Sequence, residues 1–139
     1  MRLLIKNALI YNTEMRAFGR GEVLCADGRI ASIGAVEAEY DEVIDAQGAY
    51  LVPGLVDIHT HGRAGFDFSD ADVEALRHMS ASYLALGVTT VIPTLASDTF
   101  DGWLAAIERI KAAKSDSMSV FDGLHLEGRY LNPAKRGVQ

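Results

Sequence analysis

Two histidines separated by one residue, His59 and His61, end a short apolar run and constrain this chain more than any other feature. Side chains alternate along a β-strand, so residues two apart lie on the same face. A strand that ends at His61 therefore presents both imidazoles on one side. A single strand-end histidine is usually a hydrogen-bonded structural residue, whereas two in register favour a metal-chelating pair.

The composition indicates a folded globular chain without a nucleic-acid or membrane partner. The chain has 139 residues, of which 49% are hydrophobic and 23% charged, as in an ordinary domain. Its net charge is −6, and its 13 Lys and Arg are scattered rather than clustered in a basic stripe. We find neither a signal peptide nor a run of about 20 apolar residues, so we expect a cytoplasmic protein.

Residues 1–52 are predicted to form short strands joined by tight turns, because none of their segments carries helical periodicity. The strongest signal is Asp27-Gly28 between two apolar runs, which is typical of a type I′ hairpin. Further strands at 43–45 and 49–52 complete a small antiparallel, sandwich-like β subdomain. Such a unit buries little surface, so we expect it to pack on something else.

From residue 53 to residue 139 the pattern changes to strand, helix, strand, helix, strand, which predicts an α/β fold with a parallel sheet. Strands are predicted at 55–60, at 88–92, where Pro93 ends the strand, and at 120–128. Val56 and Ile58 of the first strand are expected to face helices.

Two helices are predicted between these strands. The first is capped within residues 69–72 and buries an apolar stripe: Val73, Leu76, Met79, Tyr83 and Leu86. The second is capped by Ser97 or Asp98, buries Trp103, Ile107 and Ile110, and leaves Glu108, Arg109 and Lys111 in water.

The third strand ends with a histidine and a carboxylate on one face, His125 and Glu127. A carboxylate is costly to bury in a core, and ligands of βα folds bind at the carboxyl ends of the strands. His59, His61 and Glu127 can therefore converge on one ion. Imidazole with carboxylate suits Zn, Fe, Co or Mn, which activate water and polarise carbonyl groups. A degenerate site kept for structure is the alternative.

Two segments resemble a known family. Residues 53–62 (PGLVDIHTHG) resemble the strand-one motif of the amidohydrolase superfamily, which many hydrolases share. Residues 123–137 (GLHLEGRYLNPAKRG) resemble the N-acetylglucosamine-6-phosphate deacetylases of that superfamily. The resemblance covers the whole chain but only the N-terminal third of the family. It implies an incomplete (β/α)₈ barrel of which residues 53–139 supply the first three βα units.

The resemblance also implies roles for individual residues. Glu127 matches the family's principal metal ligand, and His59 and His61 match a pair that can hold a second divalent ion. Val138 matches a substrate-binding position near the sugar. The implied reaction is metal-dependent hydrolysis of the acetamido group of N-acetylglucosamine 6-phosphate, a phosphorylated amino sugar, which gives acetate and glucosamine 6-phosphate in amino-sugar catabolism.

The family's catalytic Asp and phosphate-binding residues are expected beyond Gln139, so no catalytic residue is assigned within this chain. We therefore expect no turnover by the 139 residues alone. A three-stranded parallel sheet leaves an apolar edge open, which favours pairing with another chain, and we expect a homo-oligomer. The alternatives are a non-catalytic truncated fragment or paralogue and an amidohydrolase that acts on a cyclic amide.

Several polar residues keep two interpretations. Arg129 stands where family members usually carry Pro, so either the turn after Glu127 is held in another way or the site is degraded. His125 is either a metal ligand or a residue that hydrogen-bonds a neighbour. Asp57 either orients a metal ligand or is a satisfied buried carboxylate. Lys135 and Arg136 are either a solvated loop pair or an attraction for the sugar phosphate.

Overall fold

The computed structural model describes residues 1–137, and the chain divides into two compact units, Met1–Pro53 and Gly54–Gln139. The first unit contains only strands, and the second combines a parallel sheet with two helices. The predicted α/β class is confirmed. Within the described part of the chain, no helix has the length and apolar character that crossing a bilayer requires.

The first unit is one five-stranded sheet in the order β3-β2-β1-β4, with β5 also paired to β1. Its strands are β1 Arg2–Asn12, β2 Ala17–Ala26, β3 Arg29–Gly34, β4 Glu42–Asp45 and β5 Tyr50–Leu51. The predicted hairpin joins β2 to β3, and its central residues Asp27 and Gly28 have φ of 51° and 74°. Positive φ at both positions is what a type I′ turn requires, so this prediction is confirmed.

The prediction of an antiparallel subdomain is wrong for β4 and β5, which pair with β1 in parallel. The two strands follow one another along the same edge of β1, because the turn at Gln47 and Gly48 interrupts the strand without reversing the chain. Asn7, with φ of 57°, forms a matching bulge in β1, and its carbonyl accepts the Gly48 N–H at 2.7 Å. All five strands belong to one sheet. The sandwich-like character of the β subdomain therefore stays a prediction.

The main sheet of the second unit has the order β10-β9-β6, with all three strands parallel, and β7 and β8 form a separate antiparallel hairpin. Its elements are β6 Leu55–Thr60, β7 Gly62–Arg63, β8 Phe66–Asp67, α1 Val73–Leu84, β9 Val88–Leu95, α2 Phe100–Lys114 and β10 His125–Leu126. Two helices therefore alternate with three parallel strands in the predicted order. Closure into a barrel stays a prediction.

Both helices begin at a side chain that accepts a backbone N–H. Asp72 caps α1 by accepting the Ala75 N–H at 2.8 Å, within the predicted segment. Thr99, rather than Ser97 or Asp98, caps α2 by accepting the N–H of Gly102 at 3.0 Å. The helices bury their inner faces in one core with β9 and the segment before β10: Leu76, Met79, Tyr83, Val91, Leu95, Ala106, Ile110, Ala113, Val120 and Phe121.

The burial predictions hold in part. Leu86 follows the end of α1 and is exposed, so its predicted burial is wrong. Trp103 and Ile107 pack against the core as predicted but are only partly buried, because Ala106 and Ala113 form the inner face of α2 with Ile110. Arg109 was predicted to stay in water but is partly buried, and its guanidinium donates to the carbonyls of Ala71 at 2.9 Å and Ser69 at 2.7 Å.

The apolar face of β6 is also not covered as predicted. Val56 and Ile58 are 61% and 69% exposed. The core residues of both helices gather around β9, whose Val91 and Leu95 are fully buried. The strand β6 is therefore left at the edge of the described sheet.

The strand β9 continues through Pro93 to Leu95, although Pro93 was predicted to end it. A proline lacks the N–H that a regular ladder needs. It is tolerated here because the β6–β9 register shifts between Asp57 and Thr60, so the ladder is irregular at this point. The Thr60 N–H donates to the Thr94 hydroxyl at 3.1 Å. The third strand is shorter than predicted: β10 is preceded only by a bridge between Val91 and Phe121.

Candidate metal centre

Three of the predicted side chains meet at the carboxyl ends of β6 and β10. Nε2 of His61 lies 3.0 Å from Oε2 of Glu127, and Nε2 of His59 lies 3.7 Å from the same oxygen. One ligand atom from each residue falls within 4.8 Å of the other two. The structure thus brings His59, His61 and Glu127 together, while their roles as ligands stay a prediction.

The arrangement fits a divalent ion. Bonds of about 2.1 Å around one tetrahedral ion separate the donor atoms by roughly 3.4 Å, which lies between the two nitrogen–oxygen distances above. Oε2 of Glu127 is buried and, although Nε2 of His61 lies 3.0 Å away, it accepts no hydrogen bond of suitable geometry in the part of the chain that the structure describes. The side chains of His59 and His61 are 52% and 40% exposed, so an ion and a substrate can reach them.

Glu127 is positioned by the sheet and by the turn that follows it. Its N–H donates to the carbonyl of Leu95 at 2.9 Å, which continues the β9–β10 pairing by one residue. Gly128 has φ of 107°, and a Cβ at this position would overlap the Ser97 hydroxyl. The close approach of Ser97 and the positive φ therefore both require glycine after Glu127.

Arg129 holds this turn in a way that proline cannot. It has φ of 69°, and its N–H donates to the Ser97 hydroxyl at 3.2 Å. Its guanidinium lies within 6 Å of the ring centres of three aromatic residues, Phe100, Trp103 and Tyr130, at 5.9, 5.7 and 5.7 Å. Proline has neither the N–H nor the required φ. The turn after Glu127 is thus held in another way.

Hydrogen bonds hold the chain at Thr60 and at the backbone of His61. The Thr60 hydroxyl lies 2.9 Å from the Tyr83 hydroxyl of α1, and the His61 carbonyl accepts the Phe68 N–H at 2.8 Å. Burial raises the pKa of Tyr83, and the hydrogen bond with Thr60 partly opposes that shift. Tyr83 is therefore a neutral hydrogen-bonding group at physiological pH.

The other predicted polar residues lie outside the three-residue group. His125 places Nδ1 3.3 Å from the Thr94 hydroxyl, and its ring centre lies 4.9 Å from that of His59. Asp57 accepts the backbone N–H of His59 at 3.1 Å. Lys135 and Arg136 are exposed. Val138, predicted to lie near the sugar, falls outside the described residues.

Sequence reasoning missed Thr94 and the contribution of Tyr83. Tyr83 was predicted only as part of an apolar stripe, yet its hydroxyl reaches the strand end between the two histidines. Thr94 was placed outside the second strand because Pro93 was expected to end it. A threonine within a buried strand is a usable signal, since its hydroxyl can accept a backbone N–H from the neighbouring strand.

Comparison with known proteins places these motifs in a family. The sequence profile of the amidohydrolase family matches residues 50–138. An N-acetylglucosamine-6-phosphate deacetylase of Lysinibacillus sphaericus is 32% identical over 100% of this chain and 36% of its own length. A D-hydantoinase of Ralstonia pickettii is 27% identical over 91% of this chain and 27% of its own length.

A solved structure shows the same fold. The crystal structure of N-acetylglucosamine-6-phosphate deacetylase from Pasteurella multocida matches 100% of this chain with a TM-score of 0.85 and 27% identity. The match covers 37% of that chain. The present chain therefore spans little more than a third of the length of the deacetylases it resembles.

Proposed function

The chain belongs to the amidohydrolase family, and from that premise we propose that it supplies metal-binding strands to a deacetylase of N-acetylglucosamine 6-phosphate. The observation that carries the proposal is the meeting of Glu127 with His59 and His61 in a chain that is similar to such deacetylases over its whole length. The reaction proposed is hydrolysis of the acetamide to acetate and glucosamine 6-phosphate.

The three residues would hold one or two divalent ions of the Zn, Fe, Co or Mn type, because their donors are imidazole nitrogen and carboxylate oxygen. When bound, such an ion supplies Lewis acidity toward water and toward an acyl carbonyl. Glu127 contributes a negative charge that offsets the charge of the ion, and the exposed histidines leave the site open to substrate. Lys135 and Arg136 follow in an exposed segment and would attract the phosphate of the sugar.

We assign no general base among residues 1–137. Asp57 is the carboxylate closest in sequence to the histidine pair, but it accepts a hydrogen bond from the backbone of His59. The proposed activity therefore belongs to the gene product that carries these strands together with a proton-transfer group. The 139 residues alone are expected to bind metal without turnover.

The test is acetate release from N-acetylglucosamine 6-phosphate by the gene product, with Zn²⁺, Mn²⁺ or Co²⁺ added. We expect Glu127→Ala to lower the rate at least a hundredfold, because a ligand is lost. Glu108→Ala is the matched control, since Glu108 is an exposed helical carboxylate that pairs with Lys111 at 2.8 Å. Full activity in Glu127→Ala contradicts the proposal.

A second candidate is hydrolysis of a cyclic amide, and the similarity to a D-hydantoinase over 91% of the chain favours it. The same assay with a hydantoin as substrate separates the two. Ring opening without acetate release supports the second candidate. Metal binding without either activity supports a non-catalytic role.

A further inference from the structure

Thr94 is a fully buried polar residue in the core of the second unit. Its hydroxyl oxygen lies 3.1 Å from the N–H nitrogen of Thr60 and 3.3 Å from Nδ1 of His125. Thr60 stands between His59 and His61, and His125 stands two residues before Glu127. One side-chain hydroxyl therefore joins both segments that carry the candidate metal ligands.

The direction of these hydrogen bonds follows from the available protons. The Thr60 amide can only donate, so the oxygen of Thr94 accepts there. The hydroxyl proton of Thr94 then needs an acceptor, because buried donors are almost always paired. Nδ1 of His125 lies within reach of it. If Nδ1 accepts, the proton of the neutral ring is on Nε2.

This assignment decides how His125 can act. A metal ligand needs an unprotonated ring nitrogen with a free lone pair. When Nδ1 accepts from Thr94, its lone pair is engaged and Nε2 carries a hydrogen. His125 is then a hydrogen-bond donor, and its ring lies beside that of His59 with 4.9 Å between the centres.

We propose that Thr94 is a positioning residue for the metal centre. At Thr60, whose register partner is Pro93, the Thr94 hydroxyl accepts the backbone N–H in place of a backbone carbonyl of β9. The same hydroxyl keeps His125 as an Nε2–H donor, so that His125 is not one of the metal ligands. The proposal rests on the proposed function in one respect, namely that His59, His61 and Glu127 bind a metal ion.

The test compares Thr94→Val with Thr94→Ser. Valine keeps the shape of threonine without the hydroxyl, and serine keeps the hydroxyl. Thr89→Val is the matched control, because Thr89 is an exposed threonine of the same strand. The affinity of the chain for Zn²⁺ is measured by competition with a chelator. We expect a loss of about 10- to 100-fold in Thr94→Val. Thr94→Ser and Thr89→Val should stay close to the unmodified chain.

A second measurement needs no variant and no metal. The ¹⁵N chemical shifts of the neutral His125 ring distinguish the two tautomers, and we expect Nε2–H in the unmodified chain. An Nδ1–H ring, or unchanged Zn²⁺ affinity in Thr94→Val, overturns the proposal. A chain that shows the Nε2–H ring but binds no Zn²⁺ overturns the metal-centre part and contradicts the proposed function, while leaving the Thr94–His125 bond supported.

Discussion

Nε2 of His61 and Oε2 of Glu127 lie 3.0 Å apart, although their strands are separated by β9 in the sheet. At about 4.8 Å per strand, the backbones of β6 and β10 are roughly 10 Å apart. The two side chains therefore reach toward each other across the end of the middle strand. Thr94 of that middle strand hydrogen-bonds Thr60 on one side and His125 on the other, which holds the two ligand-bearing segments in place.

The geometry of the turn after Glu127 predicts that two substitutions of Arg129 change the free energy of unfolding by very different amounts. Arg129→Pro should lower the free energy of unfolding by about 3 kcal/mol or more, because proline cannot adopt φ of 69° or donate to Ser97. Arg129→Gly should stay within about 1 kcal/mol of the unmodified chain, since glycine relieves the positive φ while the aromatic contacts are lost. Urea unfolding measures both, and equal stability of the two variants contradicts this account of the turn.

In the hairpin that β7 and β8 form after His61, we expect alanine substitutions of the two glycines to lower the free energy of unfolding by different amounts. Gly62 has φ of 154°, and an added Cβ would overlap the carbonyl of Phe66, whereas Gly65, with φ of 87°, faces open space. Gly65→Ala should cost about 1 kcal/mol through backbone strain alone. Gly62→Ala should cost more and should also weaken Zn²⁺ binding, because the backbone beside His61 must shift. Thermal unfolding and metal titration of both variants check this, and a smaller cost at Gly62 is the contrary result.

Acid should weaken the first unit through Asp45. The hydrogen bond from the Asn7 side chain, followed by that from the Gln47 N–H, lowers the pKa of Asp45. A lowered folded-state pKa gives stability that is present above the ordinary carboxyl pKa, near pH 4, and is lost as pH falls through the folded value. Asp45→Asn should remove this part of the acid dependence. Hydrogen exchange of β1 amides between pH 5 and 2 measures it, and identical pH profiles would exclude the effect.

Local signals in the sequence predicted what local chemistry determines. The Asp27-Gly28 turn and the alternation of His59 and His61 each follow from a few neighbouring residues. The parallel pairing of β4 and β5 could not be predicted from neighbouring residues, because it depends on which edge of β1 is open and on a bulge at Asn7. The placement of Thr94 failed for a similar reason. The proline rule is correct for a regular ladder, and the β6–β9 ladder is irregular at that point.

The candidate site was accessible to sequence reasoning at its ligands but not at their supports. Imidazole and carboxylate side chains at strand ends indicate metal binding by residue type alone. Ser97, which accepts the Arg129 N–H, is a common residue whose role appears only when distant segments meet. The exposure of Val56 and Ile58 was likewise not predictable, since it depends on which strand the helices cover.

The most direct test of the metal centre is Zn²⁺ titration of the purified chain with Glu127→Gln as the variant. Glutamine keeps the size of glutamate but loses the charge and one carboxylate oxygen, so we expect the affinity to fall at least tenfold. Glu108→Gln should bind as the unmodified chain does. Equal affinity in all three proteins would contradict the assignment of His59, His61 and Glu127 to one metal site.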